Sequence, residues 1–275
     1  VIDDASDTAE LEMGASSNIS SKAATFGSLT INSDGTYKAT SGTTTITNRK
    51  SGEFSLGNAG TFTNNDGTVL FTGAFDQHVS FTGSGNMHHC TVNKSDNDLV
   101  QRSNLTIEGD LDITTASVHD FRGNNGTHTL DVTGDVTLSA GRFGGNTTYT
   151  ANHSYKSLEI ASGAEWRATS GTTTITGESS AGNAILNNGT FTHNKGTVAI
   201  DTDATTQANE GTYYNFKTTR ASLDFYPNAA LTIQNNLDIV GDFDFQNNSH
   251  HLTVRGNMTV GDVVLPSPTV ILPLT

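Results

Sequence analysis

The chain is poor in most of what common folds are built from. Of its 275 residues one is cysteine (Cys90), four are proline and one is tryptophan, and only 15% are charged. A lone cysteine excludes an internal disulfide. Ala, Leu, Glu and Lys are scarce, which argues against long helices. There is no run of about 18 apolar residues, so no membrane span is expected. With 14 Lys and Arg against 28 Asp and Glu, the net charge is −14. A nucleic-acid partner is therefore not expected, because phosphate contacts need clustered positive charge. The chain starts at Val1 without a Met or a basic-then-apolar leader, and reads as a processed or excised piece.

What remains is a polar, turn-rich composition. Thr (44), Ser (25), Asn (26) and Gly (28) make up 123 residues. Their order is repetitive. ATSGTTTIT stands at 39–47 and again at 168–176, and GTFTNNDGTV at 60–69 matches GTFTHNKGTV at 189–198. Over 39–69 and 168–198, 19 of 31 positions are identical at an offset of 129. Further on, NLTIEGDLDIT (104–114) faces ALTIQNNLDIV (230–240), and HTLDVTGDVTL (128–138) faces HLTVRGNMTV (251–260). Two copies thus span 24–152 and 153–262, with a leader at 1–23 and a tail at 263–275.

Within each copy apolar-polar-apolar triplets recur, such as Leu29-Ile31, Val69-Phe71, Leu105-Ile107, Leu111-Ile113, Val198-Ile200 and Leu237-Ile239. Such alternation marks a strand with one buried face. Turn formers such as NSDG, NNDG and HNKG separate the triplets. Strands this short must stack on copies of themselves. The expected fold is all-β, a parallel β-helix (β-solenoid) of two tandem copies; tandem β-sandwich domains are the alternative. In LTIxxxLDI the second triplet follows the first too closely for a hairpin, but the spacing is natural for adjoining sides of one coil. The acidic leader is expected to form a helix or strand over one end, or a linker. The tail carries no charge from Val263 onward and holds three of the four prolines. It reads as an extended segment that docks, through Val264, Leu265, Val270, Ile271, Leu272 and Leu274, on its own rod or on a neighbouring subunit.

NNGTFTHNKGTVAI, NLTIEGDLDIT and HTLDVTGDVTL resemble the β-solenoid stretches of tailed-phage virion fibre and decoration proteins and of bacterial secreted adhesins. The resemblance covers most of 24–262. It implies a non-enzymatic structural or adhesive rod on a cell exterior or virion surface. Its partners would be other structural subunits or copies of itself, and cell-surface glycans. The matching stretches contain no catalytic residue.

Individual chemistry is sparse. His88-His89-Cys90 is the densest set of metal-ligand types, but in a strand Cys90 points inward and His89 the other way, so a core thiol beside surface histidines is the expectation. No metal or cofactor is expected. The paired carboxylates Asp110/Asp112, Asp201/Asp203 and Asp242/Asp244 share strand faces and define the alternative, a glycan-binding or polysaccharide-cleaving β-helix. The arginines (Arg49, Arg102, Arg122, Arg142, Arg167, Arg220 and Arg255) are few and scattered in sequence, which argues against a lyase. The threonines of TTTIT read as β-branched strand formers. Tyr37, Trp166, Tyr213 and Tyr214 are the candidates for stacking on a sugar ring.

Overall fold

The computed structural model describes residues 10–12, 21–49, 52–115, 120–123, 126–145, 148–203, 205–208, 211–227, 229–243 and 250–261, and the backbone of 263–265 and 269–271. Every regular element among them is a strand, and the strands stack in parallel as a β-solenoid. The chain divides into two compact units. Unit 1 is Val1–Gly134 with Ser139–Gly144, and unit 2 is Asp135–Leu138 with Gly145–Thr275.

In unit 1 the strands Ala24–Phe26, Thr43–Ile46, Thr68–Gly73, His89–Lys94 and Leu111–Thr114 form one parallel ladder. Ala24, Thr44, Val69, Cys90 and Leu111 stack in one column, each a single coil beyond the last. All five are buried. A second ladder runs through Leu29–Ile31, Leu56–Asn58, Gln77–Phe81, Leu99–Gln101 and Asp120–Gly123. A third joins Thr36–Lys38 to Thr61–Thr63. Triplets such as Leu29–Ile31 send their outer two residues inward, those of the third ladder bury the middle one (Tyr37, Phe62), and each buried Leu, Ile or Phe contributes roughly 1.5–3 kcal/mol. Such short faces are enough only because the coils above and below complete the backbone hydrogen bonds. That is why the sandwich alternative fails: its strands would pair antiparallel, and these pair in parallel.

Unit 2 is built the same way. His153, Thr173, Val198, Phe216, Leu237 and Met258 form its first column, again one from each coil. Aromatic rings run along the interior of both units. Tyr37 meets Phe26 and Phe62 at 5.9 and 5.5 Å, and Phe62 meets Phe81 at 5.3 Å. Trp166 stacks on Phe191 at 4.5 Å and 10°, and Phe191, Tyr213, Phe216, Phe225 and Phe243 continue the series at 5.1–5.3 Å.

The repeat is reproduced in atomic detail. Asn65 and Asp66 hold φ of 48° and 57°, and Asn194 and Lys195 hold 46° and 63°. Two successive left-handed residues make the tight turn that NNDG and HNKG encode. Asn65 Nδ2 donates to Ala39 O at 2.6 Å, and Asn194 Nδ2 to Ala168 O at 2.7 Å. The glycine that ends each turn packs against a carbonyl: a Cβ on Gly67 would lie 2.1 Å from Thr40 O, and one on Gly196 2.1 Å from Thr169 O. The buried threonines fill the same role, since Thr40 Oγ1 donates to Lys22 O and Thr169 Oγ1 to Ala151 O.

Both ends take part in pairing. Glu10–Glu12 of the leader is a strand parallel to Thr36–Lys38. In the tail, Val263–Leu265 runs antiparallel to Met258–Val260, and Thr269–Ile271 antiparallel to Leu252–Val254. The tail therefore folds back across the last coil of its own unit, the first of the two destinations expected for it. Val264, Leu265, Val270 and Ile271 lie in these strands. Leu272 and Leu274 lie outside the described residues.

Candidate functional site

The second ladder of unit 1 gathers cations on its outer surface. His78 lies on Gln77–Phe81, with Val79 inward and buried. Its neighbours come from the coils on either side. Arg49 follows the strand Thr43–Ile46, and Arg102 follows Leu99–Gln101, its N–H donating to Val79 O at 2.8 Å. Arg49 Nη1 lies 2.9 Å from His78 Nδ1 and 2.6 Å from Nε2, while Arg102 Nη2 lies 2.9 Å from Nε2. One coil further, Arg122 Nε donates to Asp98 Oδ2 at 2.7 Å.

This arrangement is electrostatically unbalanced. A neutral imidazole has one acceptor nitrogen, and two guanidiniums face it. One N–H is then left pointing at a ring N–H or at nothing. Arg102 Nε is buried and has no hydrogen-bond partner. Burial, then Arg102, then Arg49, pushes the His78 pKa down to about 4, with Asp76 pulling the other way and Arg122 adding a smaller push. The ring is thus neutral at pH 7, and the arginines supply the charge. Chemically the cluster offers several N–H donors to one oxyanion, and a planar guanidinium fork matches a carboxylate or sulfate.

A pocket of about 170 Å³ lies on the same ladder, lined by Thr30, Phe54, Gly57, Asn58, Ser80 and Thr82 among others and by none of the three cluster residues. The two features share strands: Ser55, beside Phe54, accepts the His78 N–H on its Oγ at 3.1 Å, and Ser80 lies on the same strand as His78. Phe54 packs over Gly57 and remains 38% exposed. Asn58 is 2% exposed; its Nδ2 donates to Ser84 O, but its Oδ1 has no partner.

The residues singled out in the sequence fall elsewhere. Tyr37, Trp166 and Tyr213 are 0–1% exposed, enclosed in the aromatic columns, so none offers a ring face to a sugar; they are packing residues. The Tyr37 hydroxyl hydrogen-bonds Thr44 Oγ1 at 3.2 Å. Tyr214 is half-buried, 5.6 Å from His193. Cys90 is buried, its thiol pKa pushed up by burial and by Asp112. His89 Nδ1 accepts the Asp110 N–H at 2.9 Å. Among the described residues no three His, Cys, Asp or Glu side chains converge to hold a metal ion. Asp201 and Asp203 are tied to Arg220 at 2.6 and 3.1 Å. Asp112 is held above the usual carboxylate range by partial burial and by Asp110. Asp242 lies in register with Asp224, and Asp244 is outside the described residues.

Three of the arginines read as scattered are therefore neighbours. Arg49 and Arg102 reach His78 across sequence separations of 29 and 24, close to one coil each, and Arg122 follows one coil later. The coil period was the signal that could have found them. No family model matches the chain, and neither does any curated protein or any solved structure.

Proposed function

We propose that the chain is a non-enzymatic structural and adhesive module of an extracellular or virion-surface assembly: a phage fibre, a capsid decoration or a surface adhesin. The observation that carries this reading is how the polar and apolar groups are sorted. Aliphatic and aromatic side chains, with a few buried polar ones such as Thr44, His153 and Thr173 among them, stack inward in columns, and the outer face is mostly Thr, Asn, Ser and Asp. Asp201 and Asp203 are spent on ion pairs with Arg220, and Asp110 lies beside His89. The tail adds support. Its antiparallel strands cover a sheet edge that would otherwise be open to a second chain.

Three experiments test the reading. Imaging the native assembly with an antibody to the chain should place it on a particle or cell surface. Incubation with neutral and acidic polysaccharides should release no new reducing ends. Turnover that disappears in Asp112→Ala, or in Asp238→Ala at the matching position of the second copy (LDI at 111–113 and 237–239), overturns the non-enzymatic assignment. Deletion of 263–275 should turn a discrete species into concentration-dependent oligomers, measured by light scattering. An unchanged assembly state removes the capping role from the tail.

A further inference from the structure

We propose that Arg49, His78 and Arg102, with the Phe54–Asn58 pocket on the same ladder, bind a sugar unit of an acidic polysaccharide, the cations taking its carboxylate or sulfate. The inference rests on the adhesive half of the reading above and names its ligand class. The cluster suits an oxyanion, because two guanidiniums face a single imidazole acceptor and their N–H donors outnumber it. The pocket suits something else: its lining holds no charged side chain, so it fits hydroxyl or amide groups of a ligand rather than a second charge. Phe54 offers an apolar ring, and Thr30, Ser80 and Thr82 offer hydroxyls, a lining that suits the mixed faces of a pyranose. At about 170 Å³ the pocket is below the roughly 300 Å³ at which drug-sized ligands are enclosed, so it holds one ring of a chain that continues over the surface.

The protein's net charge of −14 opposes a polyanion, yet the repulsion is screened over about 8 Å at physiological ionic strength. Asp76 is the carboxylate that acts on His78, and Asp98, on the next coil, is paired with Arg122. Moreover, the internal repeat supplies a control. At the equivalent positions the second copy has Glu178 for Arg49, Gln207 for His78 and Asn228 for Arg102. At the two of these positions that lie among the described residues, Glu178 and Gln207, the solenoid is built without Arg49 or His78, so the scaffold does not require them.

That comparison designs the test. Binding of the full chain to polygalacturonate, dextran sulfate and uncharged dextran is measured by calorimetry at low and physiological salt. Polyglutamate and a single-stranded oligonucleotide serve as competitors. The wild type should bind one or both acidic polysaccharides and not dextran, and which of the two binds tells carboxylate from sulfate. Arg49→Glu/His78→Gln/Arg102→Asn, which installs the residues of the second copy, should weaken binding at least tenfold without lowering Tm. If that variant does not fold, His78 ring signals in the wild type decide, since they should shift on adding polygalacturonate or dextran sulfate. Failure of both acidic polysaccharides to bind, equal binding by a folded triple variant, unmoved His78 signals, or competition by polyglutamate or the oligonucleotide at equal concentration overturns the proposal. Cleavage of a bound polysaccharide would sink the non-enzymatic reading and leave this site standing.

Discussion

The two repeat copies agree in their turns and columns and diverge in where they put charge. Asn65, Gly67 and Thr40 match Asn194, Gly196 and Thr169 to within a tenth of an ångström or so in their shared contacts. The cations follow another rule. In unit 1, Arg49 and Arg102 converge on His78. In unit 2, Arg167 is held by Glu165 and Arg220 by Asp201 and Asp203. Lys94 and Arg220, equivalent in the repeat, make the sharpest contrast. Lys94 is 1% exposed and donates from Nζ to Phe75 O and Gln77 Oε1 at 2.7 and 2.9 Å, whereas Arg220 lies at the surface. A stacked coil thus fixes its inner columns and turns tightly, and leaves its outer positions free to take on a task.

If the inner columns carry the stability, emptying them should have the largest effect. Trp166→Ala removes a ring stacked on Phe191 and should cost about 3–5 kcal/mol in urea unfolding. Tyr37→Ala should cost somewhat less, because the phenol fills a smaller volume. A loss below about 1 kcal/mol for either would mean that the columns do not hold the coils together. The turns come next. Gly67→Ala and Gly196→Ala each place a methyl against a carbonyl oxygen and should each cost about 2–4 kcal/mol, the two agreeing within about 0.5 kcal/mol. Clearly unequal costs would break the equivalence of the copies.

Much of this was legible before any coordinates. The triplets, the offset of 129 and the turn sequences identify a stack, because alternation and turn chemistry are local properties. Lateral neighbours are not local. The columns join residues a whole coil apart, and the variation in coil length hides which outer residue meets which. The coil from Val198 to Phe216 is shorter than that from Val69 to Cys90, so beyond it the two copies fall out of the offset they keep before it. The ladder register therefore pairs Cys90 with Phe216 as equivalents, and His88 with Tyr214. The same variation conceals the Arg49–His78–Arg102 cluster. The fate of the tail was hidden for another reason: its antiparallel pairing belongs to no repeat.

The buried amine sharpens the contrast further. Burial pushes the Lys94 pKa down to about 8 from its ordinary 10.5, against the pull of Asp76, Asp96 and Asp98. Between those values the unfolded chain holds a proton that the folded chain has released, so stability rises with pH across that window. Cys90 and the buried tyrosines act in the opposite sense, because burial raises their pKa values. The difference between the wild type and Lys94→Met cancels those contributions. It should grow in favour of the wild type from pH 8 to 9.5, read by hydrogen exchange of unit 1 amides. A difference independent of pH would mean that Lys94 stays charged inside the coil.

The smallest effect tests the outer cluster itself. With its pKa near 4 rather than the ordinary 6.5, His78 stays neutral in the folded chain while the unfolded chain takes up a proton. Stability should therefore fall as pH drops from about 6.5 toward 4, and recover fully above 6.5. Asp112 and Asp131, held above the usual carboxylate range by burial, titrate alike in the wild type and in a His78 variant, so the difference between the two isolates the ring. His78→Gln, the residue that the second copy already uses, should flatten this limb of the urea midpoint against pH and leave the midpoint at pH 7 nearly unchanged. The ring is only half-buried, and solvent screening keeps the change modest. Saturating oxyanion should shrink the same limb in part, because burial keeps the imidazole neutral first and a bound anion between the guanidiniums offsets only the repulsion that adds to it. An acid limb identical in the wild type and His78→Gln would show that the arginines do not act on the ring, and the two copies would then differ in sequence at this face without differing in electrostatics.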